Sequence, residues 1–159
     1  MSLDRFIEAQ REMYPQALKE IKNGKKESHW VWYIFPQFAG IGFSYDSHYY
    51  GIKSIKEARE YYENEYLRNN LIEITEALLK MSKNQYIECF SNIDYTKICS
   101  SMTLFFVATK NELFKEVIDK YYGKLDPLTL DIIKEFGEEK SIETIEDVSI
   151  VRGIWERYL

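Results

Sequence analysis

Residues 28–37 read SHWVWYIFPQ, and the fold of the chain turns on whether this aromatic run is a strand or a piece of helix. Trp30, Val31, Trp32, Tyr33, Ile34 and Phe35 are residue types that suit a buried, pleated surface, so local propensity alone predicts a strand. Periodicity does not arbitrate, because a short apolar run fits a buried strand or a buried helical segment equally well. The residues that follow, QFAGIGFSYDSHYYG, hold three glycines, two serines and an aspartate, the chemistry of an irregular loop. A loop of that length inside a compact domain is uncommon unless it serves a function.

On either side of this region the signals are helical. Ser2 can cap a first helix running to about residue 23, with Phe6, Ile7, Met13, Tyr14, Leu18 and Ile21 near helical spacing and Gly24 as its stop. Pro15 lies inside that pattern without an amide donor, which predicts a bend near residues 13–15 or two shorter helices. Downstream, Ser54 and Glu57 form a capping-box pattern ahead of Ala58, Tyr61 and Tyr62. Leu67, Leu71, Ile74, Leu78 and Leu79 predict the next helix, followed by a short one over residues 85–90. Asp94 can cap a longer helix through Ile98, Met102, Phe105 and Phe106, and Asn111 another that stops at Gly123. Asp126 followed by Pro127 is a cap with proline at the first helical position, and this helix runs to Gly137. In the tail, Ile150, Val151, Ile154, Trp155 and Tyr158 predict a docked terminal helix. The expected fold class is all-α: a single-domain multi-helix bundle or array over residues 1–137, with residues 138–159 as an extension of the same domain.

Composition narrows the function classes. The chain has 159 residues, 45% apolar and 30% charged, and no apolar run approaches the ~20 residues of a membrane span. Its start carries no secretory or transit pattern, so a cytoplasmic location is expected. Cys89 and Cys99 are too few for a disulfide framework, and no Cys/His cluster predicts a metal. A net charge of -5 weighs against a nucleic-acid partner. Walker A, full dinucleotide-binding, HExxH and EF-hand motifs are all missing, so no cofactor is expected.

Three segments, RFIEAQ at residues 5–10, GKKESHWVWYIFPQFAGIGFS at 24–44 and CSSMTLF at 99–105, together resemble the bacterial family known as domain of unknown function 1810. The resemblance spans residues 3–130. It implies a compact all-helical fold, in bacterial or phage-type cytoplasmic proteins, and helix rather than strand for residues 30–35; it implies no established activity. The chain departs from the family pattern at Glu65-Tyr66-Leu67, where the family tends to have His-Pro-Leu, and at Cys99, where it tends to have a basic residue. The tail beyond Gly137 has no counterpart.

The candidate site gathers around the same segment. His29 can serve as acid, base or anion donor near neutral pH, although a histidine beside tryptophans is more often structural. Trp32 offers a face for stacking, and Ser28, Gln37, Ser44 and Tyr50 offer polar contacts. Arg5 and Lys26 are candidate phosphate clamps. Ser100, Ser101 and Thr103 are three hydroxyls on an otherwise apolar helix, either bonding back to carbonyls or forming a facing wall. Gly40 and Gly42 can let loop amides approach a phosphate, but GxG alone is weak. The expectation is a small-molecule-binding protein, a sensor or sequestering protein for a polar, phosphate-bearing, nucleotide-type ligand. The alternatives are an enzyme acting on a nucleotide- or ADP-ribose-like substrate with His29 as acid/base, and a protein-interaction module.

Overall fold

The computed structural model describes residues 3–159, so the Ser2 cap lies outside the described residues. Ten α-helices follow one another: α1 Asp4–Lys22, α2 Val31–Ile34, α3 Tyr45–Tyr49, α4 Ile55–Glu63, α5 Glu65–Leu79, α6 Lys83–Cys89, α7 Asn92–Thr109, α8 Glu112–Val117, α9 Pro127–Phe136 and α10 Ile145–Glu156. No strand occurs among the described residues, only one isolated bridge between Phe38 and Ile52. The fold is all-α, and no helix among the described residues is long and apolar enough to cross a membrane.

The core is organised around α7. Ile98, Met102 and Phe105 on one face and Ser100, Thr103 and Leu104 on the others are all buried, which is the pattern of a helix enclosed all round. It packs against α2, α4, α8 and α9, while α1 lies across α5 and α2. Ser91, not Asp94, caps α7, accepting from the Asp94 amide at 3.2 Å. Asp94 is thereby left in the first turn, where its charge complements the helix dipole.

α1 continues through Pro15 as one helix. Pro15 and Arg11 both face solvent, so water can satisfy the Arg11 carbonyl that the missing proline donor leaves free. The capping box at α4 is only half formed. Ser54 accepts from the Glu57 amide, but the Glu57 carboxylate turns to the Lys53 amide and the Arg5 guanidinium instead of the Ser54 amide. α8 runs on into a π-helical turn, Ile118–Tyr122, and ends at Gly123 with φ +84°. Asp126, Pro127 and Gly137 delimit α9 as their chemistry predicts.

In the aromatic run a single helical turn, Val31–Ile34, stands where propensity favours a strand. The amides of Tyr33, Ile34 and Phe35 bond back to Trp30 and Val31, leaving no ladder to pair with a neighbour. Beyond Pro36 the chain extends, with Ala39 N donating to Ile52 O and Ile52 N to Gln37 O, each 2.8 Å. That contact closes the long loop into a compact unit containing α3.

Candidate functional site

The polar residues of the aromatic segment are knitted into the protein around one carboxylate. Glu20, on α1 and buried, accepts from Gln16 Nε2 (2.8 Å), Glu27 N (2.8 Å), Ser28 N (2.9 Å), Ser28 Oγ (2.6 Å) and Trp30 Nε1 (2.9 Å). Burial by itself pushes its carboxyl up, but the Ser28, Gln16 and Glu27 donors outweigh it and hold the pKa at about 2. Lys26 completes the unit, donating to Ser28 O at 2.6 Å, pairing with Asp94 at 2.9 Å and lying over the Trp30 ring.

Arg5 has a similar role elsewhere. Its buried guanidinium donates to Tyr49 O (2.9 Å), Gly51 O (3.0 Å) and Glu57 Oε1 (2.9 Å), fastening α1 to the end of the long loop. Ser44 caps α3 from an exposed position. His29 is exposed, with its ring 6.4 Å from that of Trp32. Thr103 Oγ1 accepts from the Asp126 amide at 2.9 Å, and Ser101 Oγ is buried without a partner. None of these seven residues, Arg5, Lys26, Ser28, His29, Ser44, Ser101 and Thr103, lines the cleft or the narrow gap that holds the other candidates.

The structure brings Gln37 and Ser100 together at a cleft of about 300 Å³ between the long loop and the N-terminal half of α7. Ile41 and Gly42 form the loop side, Asn92, Ile93, Thr96, Lys97 and Ser100 the α7 side, and Leu128 and Trp155 the remainder. Trp32 and Tyr50 reach only a narrow gap of about 10 Å³ on the other side of Gln37 and Lys97, room for at most one water.

Two groups in this cleft stand out by lacking partners among the described residues. Gln37 is buried, 7% exposed, and its Nε2 donor has no hydrogen bond. Lys97, half-buried, makes no hydrogen bond or ion pair among the described residues; burial lowers its pKa, partly opposed by Asp94, which is paired with Lys26. Both residues line the cleft and the narrow gap. Gly42, at φ +96°, keeps the loop close: a Cβ there would lie 3.0 Å from Ser47 Oγ and 3.8 Å from Lys97 Nζ. Ser100 Oγ donates to Asp126 Oδ2 at 2.6 Å, so toward the cleft it is an acceptor. Depressions of similar volume at the C-terminal end of α1 and beside α4 are lined on their polar sides by solvated residues such as Lys22, Lys80, Lys56 and Glu60.

Lys97 and Trp155 were not among the residues that sequence marks out. Lys97 is the one basic residue in α7, three positions before Ser100, and that isolation was the available signal. Trp155 reads as part of a docking face, and nothing local says that it also borders a cleft.

An all-α protein built on an enclosed central helix, with a cleft holding an unpaired cation and an unpaired amide, is the class that fold and site define. The chain matches the family described as protein of unknown function (DUF1810) over residues 1–133 and belongs to it. It is also similar to the crystal structure of the conserved hypothetical protein Rv1873 from Mycobacterium tuberculosis, at 38% identity and a TM-score of 0.77, covering 82% of this chain and 94% of that one. No curated protein matches the sequence.

Proposed function

We propose that the protein binds a small phosphate-bearing, nucleotide-type ligand, with the phosphate seated against Lys97 and Gln37 in the cleft. The observation that carries this reading is the buried Gln37 Nε2 donor, without an acceptor among the described residues, beside the half-buried Lys97 ammonium, which has no hydrogen bond or ion pair among them. Burying the Gln37 donor unpaired costs on the order of 1–3 kcal/mol, and an anion that accepts from it also pairs the half-buried Lys97 ammonium. The first turns of α7 lie on the same wall, and the positive end of the helix dipole adds to the attraction. Ile41, Ile93, Leu128 and Trp155 give the rest of the cleft an apolar character suited to the body of an organic anion.

Capture without turnover is the reading the geometry supports best. His29 is exposed and does not border the cleft, so the residue that the sequence offers as acid/base does not stand beside the cleft's donors. The free cysteines, Cys89 and Cys99, suit a reducing cytoplasm, where the protein would act as a sensor or a sequestering protein.

The test is calorimetric titration of wild type and Lys97→Met with ribose 5-phosphate and a panel of nucleotides, with mass spectrometry of the recovered ligand. Binding weakened at least about tenfold in Lys97→Met, with the ligand recovered unchanged, is the expected result. Equal affinity in the two proteins removes the phosphate from Lys97, and recovery of an altered product replaces capture with catalysis.

A further inference from the structure

The family match ends at residue 133, yet the cleft does not. After α9 the chain returns to the long loop: Ile142 N donates to Lys53 O at 2.7 Å, and the Ile142 side chain is buried. Thr144 and Asp147 then form a full capping box that starts α10. α10 seats on the loop at Gly40, whose φ is +93° and where a Cβ would stand 2.7 Å from Val151 Cβ. Only glycine permits both the backbone conformation and that approach. One turn later Trp155 borders the cleft.

Phe43 meets Trp155 from the loop side. Its ring is 73% exposed, but it is held in place, with its centroid 4.8 Å from that of Trp155 and the Arg152 guanidinium 5.1 Å from its own. Arg152 Nε is enclosed without a hydrogen-bond partner. A large apolar residue kept mostly in solvent and held by a tryptophan and an arginine offers exposed aromatic surface to a ligand. It stands beside a cleft whose other distinguishing groups are anion donors.

Building on the phosphate reading above, we propose that the ligand is a mononucleotide, and that Trp155 together with Phe43 holds its base while Lys97 and Gln37 hold its phosphate. Selection of the base then lies in the C-terminal helix, outside the segment that the family match covers, and recognition of the phosphate lies within it. The size of the cleft agrees: about 300 Å³ is at the small end for ligand sites, and a single unpaired ammonium suits one phosphate.

The test compares AMP, UMP and ribose 5-phosphate as calorimetric probes of the full chain, in wild type, Trp155→Ala, Trp155→Phe and Phe43→Ala. Wild type is expected to bind one of the nucleotides on the order of tenfold more tightly than ribose 5-phosphate, the size of effect one base stack gives. Trp155→Ala should erase that margin and leave ribose 5-phosphate affinity unchanged; Trp155→Phe should keep most of the margin. Phe43→Ala changes a solvent-exposed ring, so the fold is retained, and it should reduce the margin in the same selective way. The proposal is overturned if both aromatic variants leave nucleotide binding intact, or if they weaken ribose 5-phosphate equally. Lys97-dependent binding with no preference for a nucleotide overturns the base-holding role alone. Absence of binding by all three probes overturns the phosphate reading with it.

Discussion

The aromatic segment around Trp30 and the cleft around Lys97 contain similar chemistry in opposite states. Around Trp30 five donors converge on the Glu20 carboxylate, and Lys26 has both a carboxylate and a carbonyl. Around Lys97 an ammonium and an amide have no hydrogen-bond or ion-pair partner among the described residues. The first arrangement is complete without any ligand and stabilises the fold; the second is stabilised when something from outside supplies acceptors. A residue's type and its place in a distinctive motif do not separate these two states. The number of its hydrogen-bond partners, taken together with its place on the cleft, does.

The sharpest way to break the comparison is to remove the acceptor from the completed side. Glu20→Ala leaves Trp30 Nε1 and the Ser28 donors enclosed without a partner, and should cost at least about 3 kcal/mol in denaturant unfolding. Acid should reach the same unit without mutation. Because the folded Glu20 pKa, about 2, lies below its ordinary 4.5, this stability is fully present above about pH 4.5 and is lost as pH falls toward 2. The contribution is on the order of 3 kcal/mol. An unfolding midpoint in Glu20→Ala as pH-sensitive as wild type over that window would assign the acid dependence to other carboxylates.

A smaller loss is expected at the joint between loop and tail. Gly40→Ala forces a Cβ into Val151 at a backbone angle that L-residues rarely adopt, which should cost about 2 kcal/mol. Amide exchange should show the loss concentrated in α10. Uniform loss of protection through α7 would mean that the tail and the core unfold as one unit.

The sequence discloses helix ends better than it discloses sites, because an end is local chemistry. Asn111, Gly123, Asp126-Pro127 and Gly137 each act within a few residues of themselves, and each is where the structure uses it. Ser91 and Asp94 show the limit: both can cap, and only the path of the preceding chain chooses between them. The half-formed box at Ser54 has the same cause, since Arg5, some fifty residues away in sequence, claims the carboxylate that would have closed it. Glu20 looks like any solvated helix glutamate until the chain folds back and brings Ser28 and Trp30 to it. Arg5, Lys26 and Ser28 have the chemistry a ligand site needs, but tertiary structure gives them protein partners. Lys97 is conspicuous only after neighbouring Lys26 has taken the Asp94 carboxylate.

On the cleft side the expected effects on stability are small and those on binding large. Lys97→Met should leave unfolding free energy within about 1 kcal/mol of wild type, or raise it, because a half-buried ammonium without a partner contributes little to folding. Its cost should appear as lost affinity for phosphate-bearing probes. A large destabilisation with unchanged binding would reverse the contrast between the two regions and make Lys97 structural.

Ser101 supplies the finest discrimination, since it is unsatisfied yet lies away from the cleft. Its hydroxyl sits on α7 beside Ser100, fully buried and without a hydrogen-bond partner, and it does not border the cleft. Replacing it with alanine removes an unsatisfied polar atom at almost constant volume, so stability should change by less than about 1 kcal/mol, with the sign toward stabilisation. Ligand affinity should not move. Ser100→Ala, by contrast, removes a 2.6 Å bond to Asp126 and an acceptor facing the cleft, and should lower both stability and affinity. Equal behaviour of the two variants would show that a hydroxyl's position relative to the cleft has no bearing on binding.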